Sequence, residues 1–211
     1  MATDSSEGSR LARWCVSTSL ALLALPHIGV AKAVERPSIL PPEMRDSSLD
    51  SLYDVEEEPI WQQVPRGSLV RYRVSFVGIN CKRHTVLFDE RMNGSVWGEV
   101  KVWNQCHSDE PYQAHRFRLR AVDFSPIKAA MDKAGLWQRA ASYWTVQDEN
   151  TICIDGIDVT FERRDGSDYR MDQSNVWCQT TRDFVVAARM LLIAAGDQPG
   201  LALLPRIDND R

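Results

Sequence analysis

Four cysteines carry the most specific spacing in the chain. Cys81 and Cys106 enclose Asn93-Gly94 with eleven residues on each side, and Cys153 and Cys178 enclose Asp165-Gly166 in the same way. Asn-Gly and Asp-Gly are the preferred central pairs of two-residue hairpin turns, because both positions need a positive φ. In such a hairpin, residues equally far from the turn face each other, so each frame predicts a disulfide: Cys81 with Cys106 and Cys153 with Cys178. The competing chemistry is metal. Cys81-x-x-His84, Cys106-His107 and His115 offer soft ligands in one local region, but no Cys-x-x-Cys or His-x-x-x-His occurs, and the reading carries no metal and no cofactor.

Charge supplies the second candidate. Arg71 and Arg73 alternate on one predicted strand, and Arg116, Arg118 and Arg120 on another. If those strands are neighbours, the five form a cationic face suited to phosphate, an envelope polyanion or an acidic partner. Catalytic constellations are sparse. There is no Gly-x-Ser-x-Gly, no Walker-type loop, no Gly-x-Gly-x-x-Gly and no His-Glu-x-x-His. His84, His107 and His115 are the general-base candidates. Glu90 and Glu99 flank the Asn93-Gly94 turn and are expected on one hairpin face. The tryptophans read as packed core rather than as a sugar platform, a question that exposure of Trp97 or Trp103 would reopen.

The elements that must position these groups follow from period and punctuation. Leu69–Ile79 alternates as a half-exposed strand, Thr85–Glu90 and Val96–Trp103 form a first hairpin, and 115–121 forms a fourth strand. Ser125-Pro126 reads as a helix start and Gly135 as its end. Ile152–Arg163 and Ser167–Trp177 form a second hairpin. Thr180-x-x-Asp183 then caps a helix from Phe184 to Ala195, apolar nearly all round, that Gly196 ends. The resulting fold class is α+β: a mainly antiparallel sheet of two disulfide-linked hairpins plus flanking strands, packed against two helices.

The 211 residues suffice for one domain with a real core. The net charge of -4 and pI near 5.6 give no electrostatic reason to expect a nucleic-acid binder. Residues 1–33 read as an export signal: Arg10 and Arg13, the apolar run Trp14–Leu25, then Ala31-Lys32-Ala33. Cleavage there leaves no stable membrane span, the alternative being a retained anchor. Residues 34–66 hold eight acids, three arginines and five prolines, an acidic arm that Ile60, Trp61 and Val64 could fasten to the core. Because the domain at 67–196 and the tail at 197–211 are together neutral, the arm is also a plausible electrostatic cover for the arginine face.

From about 123 to 196, the order helix, Gly-Leu-Trp, Asp155-Gly156, Val159-x-Phe161-Glu162, Tyr169, Trp177-Cys178 and apolar helix resembles a group of uncharacterised exported bacterial proteins. The resemblance implies a small α+β domain of the bacterial envelope, periplasmic or secreted, and no activity. Asp158 stands where that pattern has an aromatic. The function expected is therefore a non-enzymatic binding or interaction module. The alternative is an envelope hydrolase using a carboxylate or a histidine in a cleft.

Overall fold

The computed structural model describes residues 58–62, 64–78, 82–104, 111–138, 156–178 and 180–207. Six strands form one antiparallel sheet: β1 (Ser68–Gly78), β2 (Lys82–Arg91), β3 (Val96–Asn104), β4 (Gln113–Leu119), β5 (Ile157–Asp165) and β6 (Asp168–Asn175). Their order is β4-β3-β2-β1-β5-β6, so β1 is central and joins a meander on one side to a hairpin on the other. Among the described residues the helices are α1 (Ala121–Lys133), α2 (Arg182–Ala195) and the single turn α3 (Gln198–Leu201).

Alternation explains the core. Val70, Tyr72, Val74 and Phe76 of β1 share a face with Val86 and Phe88 of β2, Val96 and Val100 of β3, and Val159 and Phe161 of β5. Phe124, Ile127 and Met131 of α1 and Phe184, Ala188 and Leu191 of α2 close over them. Tyr72 stacks on Phe88 at 4.7 Å between centroids, and Phe161 meets Phe184 edge-on at 5.1 Å. On the same face Gly98 pairs with Phe117, whose ring lies where a Cβ on residue 98 would stand.

The disulfide-linked hairpins are not the basis of this sheet. At the first turn Gly94 N–H donates to Arg91 O and Arg91 N–H to Ser95 O, both at 2.8 Å, with Gly94 at φ 74°. This is a three-residue loop ending in a glycine bulge, not a two-residue turn centred on Asn93-Gly94. The register, Glu90↔Val96 through Lys82↔Asn104, is displaced by one residue from the one that opposes Cys81 and Cys106. The second hairpin turns at Gly166-Ser167, with Asp165 facing Asp168, a displacement of two from the register that opposes Cys153 and Cys178. No disulfide joins two of the described residues. Cys81, Cys106 and Cys153 lie outside them, and Cys178, in the turn after β6, is disulfide-bonded.

The same displacement by one sends Glu90 and Glu99 to opposite faces, because side chains alternate with period two. Glu90 points at the helices, where it accepts hydrogen bonds from Tyr72 Oη at 3.1 Å and from Lys128 Nζ at 2.9 Å. Glu99 lies on the outer face beside Lys101 and Arg116.

Both helix starts also move. The first begins at Ala121, with Pro126 inside it, because Arg120 O accepts the N–H groups of Asp123 and Phe124 and the Arg120 and Asp123 side chains bridge the first turn. Pro126 costs one backbone hydrogen bond and does not set the boundary. In the second helix the cap is Thr181 rather than Thr180: its Oγ1 accepts from Phe184 N–H at 3.2 Å, and Gly196 ends the helix at φ 75°. Ile193 is exposed, so the apolar surface of this helix is not wholly buried.

Candidate functional site

On the face of the sheet away from the helices, β1 carries Arg71, Arg73 and Ser75. The strand register places Arg73 opposite Glu162 of β5, and both side chains are fully buried. The guanidinium engages the carboxylate in a fork: Arg73 Nε donates to Glu162 Oε2 and Nη2 to Oε1, the latter at 2.7 Å. Tyr169 Oη donates to the same Oε1 at 2.7 Å, and Arg73 Nη1 donates to the Glu58 carbonyl at 3.0 Å. Arg71 pairs with Asp89 directly across on β2, Nε to Oδ1 at 2.8 Å, and with the Glu58 carboxylate at 3.3 Å. Glu58 thus fastens the described end of the acidic segment to this face, and Ile60 two residues on is buried. Arg71 and Arg73 are committed to protein carboxylates.

The remaining predicted arginines lie elsewhere. β2 and β3 separate β1 from β4, so Arg71 and Arg73 share the outer face with Arg116 and Arg118 but the five are not one contiguous patch. Arg120 stands outside β4 at the start of α1, with Asp123 at 2.7 Å; the hydrogen bond between them holds the exposed Asp123 carboxyl below its usual range. Arg116 and Arg118 share the outer face of β4. Arg116 reaches Glu99 at 3.4 Å.

Arg118 lies opposite Trp97, its guanidinium 4.8 Å from the ring centroid, while that of Arg91 lies 5.7 Å from the same ring. The indole is half exposed. Neither Arg91 nor Arg118 meets a carboxylate among the described residues, since the acid nearest in register, Asp89, is taken by Arg71. By contrast Trp103 is buried, between Arg83 and Tyr112. The arrangement at Trp97 is an aromatic platform with two cations that meet no described carboxylate, Arg91 Nη1 donating to the Arg66 carbonyl at 3.5 Å, and it is able to take an anion whose body is flat or apolar.

The chain matches no protein-family model and no curated protein. Its site chemistry must therefore be read from its own residues.

A second polar cluster lies on the helix side. His84 of β2 is buried, and its Nδ1 is 2.9 Å from Asp197 Oδ2. Asp197 Oδ1 also accepts from Gly200 N–H at 2.9 Å, capping α3. Burial raises the Asp197 pKa, but the hydrogen bonds from His84 and Gly200 and the charges of His84 and His115 outweigh it and hold the carboxyl below its ordinary range. A carboxylate has no proton to give, so Nδ1 of His84 is the donor. Its Nε2 is buried with no hydrogen-bond partner among the described residues. An Asp–His pair with a bare Nε2 has the chemistry of a general base, yet here it is sealed from solvent. His115 Nε2 donates to Ala195 O at 2.8 Å, so both histidines tie the end of α2 to the sheet. His107 lies outside the described residues, which hold no group of three metal-ligating side chains.

Glu162, Asp197 and Arg91 are the residues sequence reasoning missed as site members. Glu162 is 89 residues from Arg73, and only the β1–β5 pairing brings them together. Asp197 follows Gly196 at a helix end, where an acid reads as an ordinary cap for the next turn.

Proposed function

We propose that this chain is an exported, non-enzymatic binding module of the bacterial envelope, and that its ligand surface is the β3–β4 margin around Trp97. The export reading rests on Arg10, Arg13, the apolar run and Ala31-Lys32-Ala33. The binding reading rests on one observation above all: Trp97 lies between two guanidiniums that meet no described carboxylate. Ligand charge would satisfy Arg91 and Arg118, while Trp97 supplies contact area at low entropic cost. The hydrolase reading has less support, because the His84–Asp197 pair that could act as a base is closed off.

Heparin affinity tests the proposal. Arg118→Ser should weaken binding several-fold and Arg91→Ser with Arg118→Ser about ten-fold, an effect that about 0.5 M salt should erase by screening. Equal affinity in all three proteins at low salt would remove the Trp97 surface as the anion site.

A further inference from the structure

Large hydrophobic side chains left in solvent are not scattered evenly over the described residues. Leu69, Met92, Trp97 and Val122 gather at one end of the sheet. The strand pairing makes this explicit: the start of β1 meets the end of β2, Glu90 pairs with Val96, and Val96 pairs with Leu119, one residue short of α1. Gly94 closes the cluster, because a Cβ there would stand 3.0 Å from that of Ala121. Met92 is 83% exposed on the turn after β2, and Val122 is 68% exposed in the first turn of α1. The guanidiniums of Arg91 and Arg118 flank the same end.

We infer that this end of the sheet docks on an anionic lipid surface. The inference rests on the reading of Trp97 as part of an anion site and adds what carries the charge. A soluble polyanion would use Arg91 and Arg118 and give Met92 and Val122 no role. A bilayer uses both sets. Headgroup phosphates meet the guanidiniums, the indole sits at the level where tryptophan is favoured, and Met92, on the tip of the turn, enters the acyl boundary. Arginine stems lie along apolar surface while their heads stay wet, so the mixture of cations and hydrophobics is not in conflict.

The test uses the full chain and vesicles of phosphatidylcholine, alone or with about 30% phosphatidylglycerol, in sedimentation assays, with heparin affinity measured in parallel. Every reading is a difference between variants of one full chain, so the apolar run at its N-terminus cancels. Met92→Ser with Val122→Ser should lower partitioning onto the anionic vesicles about five-fold and leave heparin affinity unchanged, and Ile193→Asp, on the exposed side of α2, should change neither. Brominated lipid should quench a component of the fluorescence that Trp97→Phe removes. If the double Ser variant partitions like the parent, or Trp97→Phe removes no quenched component, the lipid inference falls. If heparin binding depends on Arg91 and Arg118 but anionic vesicles add nothing over neutral ones, the lipid inference falls and the proposed function stands. Loss of dependence on the arginines in both assays overturns both. Capture of an acidic protein by a surface that ignores vesicles would show the partner to be a polypeptide and would likewise overturn the inference.

Discussion

Arg73→Met should cost the folded chain about 3–5 kcal/mol, read as a shift in the urea unfolding midpoint. Arg73 and Glu162 are both fully buried and joined in a two-point fork, so removing the cation leaves a carboxylate in the sheet with, among the described residues, Tyr169 alone to satisfy it. Glu162→Met should cost a similar amount for the opposite charge. The double variant should recover most of that loss, because a buried ion pair replaced by apolar side chains of similar volume is often neutral or better. A single variant that unfolds within about 1 kcal/mol of the parent would mean that water reaches this pair in solution. The fork would then be a surface contact.

Asp197→Ala is expected to be as severe, at about 3 kcal/mol or more, since it strands the His84 Nδ1–H in the core and uncaps α3. Asp197→Asn keeps the acceptor at Oδ1 and should recover part of the loss. The pH dependence has a definite sign. A carboxyl held below its ordinary range in the folded state contributes stability that is complete above about pH 4 and lost as the pH falls toward its own lower pKa. The parent should therefore lose stability more steeply below pH 4 than Asp197→Asn does. Parallel acid-denaturation curves for the two proteins would exclude Asp197 as the source.

Strand positions were legible because alternation in Val70-Arg71-Tyr72-Arg73-Val74 and its counterparts is a local property. Registers were not. Asn93-Gly94 suits a two-residue turn and also a three-residue loop closed by a glycine bulge, since Gly94 takes a positive φ in either. The difference of one residue puts Glu99 on the face opposite Glu90 and removes the argument for facing Cys81 and Cys106. The arginines show a second limit. An Arg-x-Arg pattern reads as a solvated face, yet Arg73 is buried because Glu162 lies opposite in a pairing that no local spacing announces. Trp97 was legible as a conditional, its exposure being the deciding fact, whereas the association with Arg91 follows only from the turn.

The central position of β1 has a consequence for the order of folding. On one side β1, β2, β3 and β4 are successive in the chain, so each pairing closes a short loop and the four can zip together early. On the other side β1 must find β5, where Val74 pairs with Phe161, and that closure waits on a much longer stretch of chain. Val100→Ala, in the meander, should slow folding, whereas Val159→Ala, in β5, should mainly speed unfolding; rate measurements showing the reverse would place the nucleus on the far side. Until β5 arrives, β1 is an open edge carrying Arg73 and, on its opposite face, Tyr72 and Val74. The Arg73–Glu162 fork is then the contact that discourages any strand without a facing carboxylate from taking that edge first.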